Sequence, residues 1–561
     1  MAELRTSDVI RSKDEDANAR TAFLLVAALT LARLIALFRT PLELYPDEAQ
    51  YWLFSRTLAF GYHSTPPVIV WAIWAATALG GDAEPWVRLP AVLFQAGATL
   101  LVFWIARRLY GSGTALASAA FFALVPAIQL SATVVGPGAP LLFFIGLTIC
   151  AYVALQSAEG RQRSLIAVGL GAALGLAFLS KYAAIYALIG VGLHLALSPA
   201  ARRNWSPASA AWALGAFLMV LSPNLAWNAT HAFASSQQIV AEVDWAARKL
   251  FNPVECGKFL GAQFAVFGPI PFAVLILGSG LMAYRRRLEP ADVLLLCFTL
   301  PPFAIVAVQV FVSRPNASWS GASYLPGAIL VAAWLVRWRT RRLLLAALTI
   351  QAVIVAGFFA VVVQPRLLDS LGQSDGLKRA RGWAQTADVV ARRVRAEQSA
   401  GVSAVAVNNR FLYYALAYYG RDYFREPLAA PLKTWVRGTR AGNQAEAIAP
   451  LFASQGQRVV AVAYEGWFNT EMAADFGRVL DPEINDVWLD RKHQRRLDMF
   501  VGEGFRVQPR NPATGYPTPA WKPGDAVRAT PGAPVTLVIS PLPQSTLSVR
   551  SQPQPTRQVR W

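Results

Sequence analysis

Eleven stretches of this chain are long and apolar enough to cross a lipid bilayer as helices, and that limits the fold more than anything else in the sequence. A crossing helix needs about 20 mainly apolar residues. Stretches of that kind lie near 22–39, 86–108, 114–131, 139–157, 164–179, 183–198, 208–227, 263–283, 291–312, 320–337 and 342–363. The run 66–80 is shorter, opens with Pro66-Pro67 and carries two tryptophans, so it is expected to be an interfacial or re-entrant helix. The split of 164–198 at Ser180-Lys181-Tyr182 is the finest of these divisions. Composition agrees: 55% of the 561 residues are hydrophobic and 15% charged, whereas soluble domains average about 25% charged.

Loop charge orients the spans. With the N-terminus on the cytoplasmic side, the inner segments carry 17 Lys and Arg residues and the outer ones eight, Arg39, Arg56, Arg88, Lys181, Arg248, Lys249, Lys258 and Arg314. That bias follows the positive-inside rule, and one span more or fewer would break the alternation. The same placement explains the net charge of +19 without nucleic acid as a partner. It also puts ELYPDEAQYW (43–52), the loop 228–262 and everything beyond 364 on one outer face. The first twenty residues are polar and show no cleavage signature, so the first span is expected to stay as an anchor. The three cysteines form no framework and read as small apolar side chains.

Four regions are expected: a cytoplasmic segment 1–21, a transmembrane part 22–363 with an outer loop 40–85, an extracytoplasmic α/β domain 364–504, and a Pro-rich basic tail 505–561. In the third, helical patterns at 376–398 and 443–454 alternate with β-branched runs at 402–407 and 458–464, with another at 535–540. The tail could touch anionic head groups.

The acidic turn after the first span draws attention because charge is costly beside a bilayer. Pro46 followed by Asp47 and Glu48 is the usual composition of a helix start. Helical spacing places Asp47 with Tyr51, Phe54 and Leu58 on the expected apolar face, and Glu48 with Trp52, Ser55 and Arg56. An acid in an apolar setting has a raised pKa, which suits a general base or a cation ligand. Glu48 is explained by the helix terminus alone, or serves beside Asp47.

DEAQYW, GYHSTPPVIVW (61–71) and PWVRLPAVLF (85–94) resemble the first outer loop of bacterial GT-C glycosyltransferases of the protein-mannosyltransferase and aminoarabinose-transferase type, glycosyltransferase family 39 and its relatives. The likeness continues through GLAFLSKYAAIY (175–186), SPNLAWNATHAF (222–233), SWSGASYLP (318–326) and RGWAQTADVVA (381–391). It implies an α-helical polytopic enzyme with about 11–13 spans and a small extracytoplasmic α/β domain, in the bacterial inner membrane. It also implies a polyprenyl-phosphate sugar donor, inversion at the sugar, and a membrane glycolipid acceptor of the lipid A or core type. Asp47 matches the aspartate that takes the acceptor's proton, with Glu48 beside it. Lys181 matches the family's basic position near the leaving phosphate, with Arg88, Arg314 and Lys258 as further donor-binding candidates. Tyr51, Tyr62, His63, Trp227, Asn228, Trp319 and Tyr324 are candidates for the acceptor and sugar pocket. A divalent metal stays open, with His63 and His231 as weak ligand candidates and Glu242 as an oxygen donor.

Two departures stand out. Gly138, in GPGAP, occupies a place where relatives often carry an acid, and Thr65 stands where a basic residue or histidine is usual. They keep open a protein O-glycosyltransferase and a catalytically impaired glycolipid-binding homologue. A lipid or sugar transporter would need mid-span charge and internal repeats; beyond Arg33 near the end of the first span, the sequence offers neither.

Overall fold

A computed structural model describes residues 2–231, 253–310, 317–464, 468–512, 514–518 and 537–538. In chain order the helices are α1 (Ala2–Arg39), α2 (Pro46–Phe54), α3 (Val68–Gly80), α4 (Glu84–Tyr110), α5 (Ser112–Ala123), α6 (Pro126–Thr133), α7 (Gly138–Leu155) and α8 (Gly160–Ser180). There follow α9 (Ile185–Leu197), α10 (Pro199–Arg203), α11 (Pro207–Thr230), α12 (Pro253–Val266), α13 (Pro269–Tyr284), α14 (Pro290–Val310), α15 (Tyr324–Arg337) and α16 (Arg341–Val363). Among the described residues eight helices are long and apolar enough to span a membrane, or nine if the bent pair α5–α6 counts as one. This is a polytopic membrane bundle with fewer full-length crossings than the eleven expected.

The difference has local causes. The run 114–131 turns by 59° between α5 and α6, where Pro126 cannot donate a backbone hydrogen bond into the preceding turn. The carbonyl of Ala123 at that break accepts from Arg33 Nη2 at 3.3 Å, and Arg33 Nε bonds Gln129 Oε1 at 3.2 Å. The buried Arg33 thereby satisfies a broken helix. The run 263–283 is likewise two helices, separated at Gly268, whose φ of 111° lies in the left-handed region. The run 183–198 forms the short helix α9, divided from α8 at Lys181, and 68–80 is the short helix expected from its sequence.

The contact between α8 and α11 is glycine-built. A Cβ on Gly171 of α8 would lie 1.9 Å from the carbonyl oxygen of Ala213 on α11, and one on Gly175 would lie 2.8 Å from Val220 Cβ. Two glycines four residues apart let the backbones meet, as small-xxx-small pairs do in membranes.

Past α16 come α17 (Arg366–Ser370), α18 (Trp383–Glu397), β1 (Ala404–Val407), α19 (Arg410–Tyr419), β2 (Leu432–Thr434), β3 (Arg458–Tyr464), β4 (Phe476–Trp488), β5 (Gln494–Phe505) and β6 (Leu537–Val538). The sheet order is β2-β1-β3-β5-β4-β6, with β2, β1 and β3 parallel and the remaining pairs antiparallel. Strand β1 is buried along its whole length, as expected for a parallel strand covered on both faces. The helix expected over 443–454 is only Gln444–Ile448. Most of the tail expected at 505–561 lies outside the described residues.

The segment between α1 and α4 packs into this sheet domain. Leu44, Trp52, Phe54, Tyr62 and Ile73 belong to one buried cluster with Trp383, Val405, Tyr414 and Tyr418. A second, larger cluster fills the helix bundle.

Candidate active site

Helix α2 begins at Pro46, and the two acids of its first turn have opposite fates. Glu48 is fully buried. Its carboxylate accepts from Tyr45 N at 2.9 Å, Val135 N at 2.8 Å, Arg88 Nε at 2.9 Å and Arg88 Nη2 at 2.7 Å. Arg88, 2% exposed, also donates to the carbonyls of Leu42 at 2.9 Å and Glu43 at 2.8 Å. This bidentate pair ties three segments together: the loop 42–48, α4, and the turn before α7.

Arg88 therefore differs from its expected place at the donor phosphate, because its donors are taken by the protein. Asp47 also departs from expectation. Its side chain is 56% exposed, whereas the buried residues of α2 are Pro46, Glu48, Ala49, Gln50, Trp52 and Phe54. Spacing failed here because α2 is nine residues long and enclosed on most sides, so a single apolar stripe does not describe it.

The adjoining loop is fixed from several directions. Gln50 Nε2 donates to Ser64 Oγ at 2.6 Å, and His63 N donates to Gln444 Oε1 at 2.8 Å. Tyr62 stacks on Phe54, accepts from Ala59 N and donates to the Thr57 carbonyl, each at 3.0 Å. Tyr51 lies partly buried at the edge of the same cluster. Gly61 brings the backbone against Trp227, where a Cβ would approach the indole to 2.3 Å. Asn224 Nδ2 donates to the Phe60 carbonyl at 2.6 Å, and the buried Asn228 bonds Asn224 and Tyr182. Tyr182 follows Lys181, the extended residue that ends α8. Thus the loop after α2, the end of α11 and the Lys181 junction form one connected structure.

Other expected members lie elsewhere. Tyr324 is buried inside the bundle, stacked on Phe267 and donating to Gln263 Oε1 at 2.9 Å. That placement gives it a packing role in the interior. Trp319 packs against the same core. Lys258 is exposed and paired with Glu255 one turn earlier, at 2.7 Å. Arg314, Arg248, Lys249 and Glu242 lie outside the described residues. His231 stacks on Trp227 with centroids 4.1 Å apart, and its Nδ1 donates to the Trp227 carbonyl at 2.8 Å. Among the described residues no three His, Cys, Asp or Glu side chains converge as a metal site would require.

The structure adds groups that the sequence reading passed over. Glu43 accepts from the backbone N–H groups of Trp383 and Ala384 at the start of α18. Burial pushes its carboxyl above the ordinary range, and those two N–H groups oppose the shift. Tyr419 donates to Glu84 at 2.5 Å and accepts from Leu44 N at 2.6 Å. Arg410, the first residue of α19, reaches Asp47 with Nη2 3.9 Å from Oδ1. Its sequence signal is its place just after β1, since the carboxyl ends of parallel strands are where open α/β sheets bind ligands.

A multi-span bundle, a sheet domain locked onto its first interhelical segment, and a surface carboxylate there define a GT-C type architecture. ArnT from Cupriavidus metallidurans, solved bound to undecaprenyl phosphate, superposes on 85% of this chain and 97% of its own, with TM-score 0.60 and 14% identity. The family profile described as dolichyl-phosphate-mannose-protein mannosyltransferase matches residues 64–227. The lipid A galacturonosyltransferase RgtD of Rhizobium johnstonii is 32% identical over 421 residues, covering 73% of this chain and 86% of that protein. The lipopolysaccharide core galacturonosyltransferase RgtA of the same organism is 27% identical over 277 residues, covering 48% and 53%. The chain belongs to this family of GT-C membrane glycosyltransferases.

Proposed function

We propose that this protein transfers a galacturonate unit from polyprenyl phosphate to a hydroxyl of lipid A, at the periplasmic face of a bacterial inner membrane. The similarity to RgtD, longer and closer than that to RgtA, favours lipid A over the core as acceptor. One observation carries the assignment of chemistry to Asp47. Of the two acids in the α2 turn, Glu48 has its oxygens filled by four hydrogen bonds and is buried, while Asp47 stays largely exposed, with Arg410 Nη2 3.9 Å from its carboxylate.

In the proposed reaction the acceptor hydroxyl loses its proton to the Asp47 carboxylate as its oxygen bonds to the anomeric carbon. The bond from that carbon to the phosphate oxygen breaks on the opposite side, so polyprenyl phosphate leaves with the electron pair. One displacement inverts the sugar. The Lys181 ammonium, at the break between α8 and α9, supports charge developing on the leaving phosphate. Loss of a general base costs typically 10²–10⁴ in rate.

The test uses purified protein in vesicles with polyprenyl-phosphate galacturonate and lipid A, read by mass spectrometry. Wild type should add one hexuronate, and Asp47→Asn should lose at least about a hundredfold in rate with unchanged thermal stability. Equal rates for wild type and Asp47→Asn would remove Asp47 from the chemistry. Transfer only to core oligosaccharide would move the acceptor.

A further inference from the structure

We propose that Arg410 and Arg379, both carried by the sheet domain, form the subsite that recognises the carboxylate of a uronate sugar. This rests on the transferase reading of Asp47 and extends it to the choice of donor. The two guanidinium carbons lie 4.8 and 5.3 Å from the centre of one ring, that of Phe411. Both arginines are partly buried, and the Arg410 side chain is 35% exposed.

Stacking on an aromatic face fixes a guanidinium while leaving its edge N–H groups able to grip a planar anion. For Arg410, the nearest carboxylate among the described residues is Asp47 at 3.9 Å, too long for a hydrogen bond. The Asp47 contact is therefore a loose pairing, easily exchanged for a substrate carboxylate. Asn409 holds the position by capping α19, with Phe411 N donating to Asn409 Oδ1 at 2.8 Å.

A uronate brings two anions, its phosphate and its C6 carboxylate. The phosphate is tethered to a lipid, which directs it to the bundle, where Lys181 ends α8. In the pyranose only the ring oxygen and C5 separate the anomeric carbon from the carboxylate-bearing carbon. A sugar whose anomeric carbon faces an acceptor held by Asp47 thus brings that carboxylate close to the neighbour of Asp47, which is Arg410. A neutral hexose would leave the arginine pair without a substrate anion.

The test compares wild type, Arg410→Gln, Arg379→Gln and the double variant as full-length protein in vesicles. Transfer is measured from polyprenyl-phosphate galacturonate and from polyprenyl-phosphate galactose, which differ only at C6. Binding of galacturonate 1-phosphate and galactose 1-phosphate is measured in parallel by thermal shift, which needs no turnover. The expected result is a drop in kcat/KM of roughly ten- to a hundredfold with the uronate donor, the effect of losing a charge-assisted contact. With the galactose donor the change should stay within about threefold, and the variants should no longer bind the uronate phosphate better than the galactose one. Equal losses on both donors, or a uronate preference that survives the double substitution, would overturn the proposal. Arginine-dependent uronate binding without transfer would uphold this subsite and refute the transferase reading. Transfer with a preference indifferent to both arginines would do the reverse.

Discussion

Replacing Glu48 should be far more damaging to the folded protein than replacing its neighbour Asp47. Glu48→Ala removes both contacts to Arg88 and the acceptors of the Tyr45 and Val135 N–H groups. Both members of the pair are essentially inaccessible, at 2% and 0%, so water does not take over from the lost partner. Breaking a buried pair from one side costs about 3–5 kcal/mol. Each N–H group left buried without an acceptor adds about 1–3 kcal/mol. A total loss of at least about 5 kcal/mol is expected, and Arg88→Ala should cost about 3–5 kcal/mol as well. Asp47→Ala removes a largely exposed group whose ion pair with Arg410 is loose at 3.9 Å, a contact worth about 1 kcal/mol or less. The double variant Glu48→Ala/Arg88→Ala leaves no unpaired charge, so its loss should fall short of the sum of the singles by about 2 kcal/mol. Denaturant unfolding of the detergent-purified proteins measures all four quantities. A Glu48→Ala protein within about 1 kcal/mol of wild type, or strictly additive single substitutions, would refute the reasoning.

Three further outcomes follow from the packing. Gly171→Val should separate α8 from α11, since even a Cβ there would lie 1.9 Å from the Ala213 carbonyl oxygen. A stability loss of about 1–3 kcal/mol or more should appear together with lower transfer, because α11 also holds Asn224 and Asn228 against the loop. Glu43→Ala removes the acceptor of two N–H groups at the start of α18 and should cost about 1–3 kcal/mol, seen as faster amide exchange at 383–386. Gly138→Asp should be tolerated, because the nearest heavy atom to a Cβ there is Ser131 Oγ at 3.8 Å. Its melting temperature should stay within a few degrees of wild type, and a large drop would show that the start of α7 has no room for an acid.

Much of the membrane part is legible because hydrophobic length is a bulk property that survives local detail. What it does not report is where a span breaks. Pro126 and Gly268 are visible as letters, but neither announces that its run becomes two helices. In the sheet domain, β1 and β3 are legible as β-branched runs, whereas β4 and β5 are missed. Residues such as Glu483, Asp486, Arg495 and Arg496 make that hairpin read as loop. Much of β4 is solvated, with Ile484 and Trp488 among the apolar residues left exposed, while β5 is buried from Leu497 to Gly502 despite its charged start, so neither charge nor hydrophobicity marks the hairpin's path.

The acidic turn shows the same limit at the scale of single residues. Helical periodicity separates Asp47 from Glu48 by about 100°, and that separation is real. Which side becomes interior is decided by partners distant in sequence: Arg88 forty residues on, Val135 eighty-seven on, and α19 beyond the whole bundle. A buried carboxylate with four donors is a structural tie, and in the proposed reaction its neighbour on the open side is the acid that meets the acceptor. The rigidity of the first sets the position of the second. In the proposed reaction Asp47 is held in register with the acceptor hydroxyl by the turn that Glu48 anchors, and the sheet domain that supplies Arg410 is locked to the same turn through Glu43 and Tyr419. A substitution that loosens Glu48 should therefore lower transfer as steeply as one at Asp47, but with a parallel loss of stability that Asp47→Asn does not share.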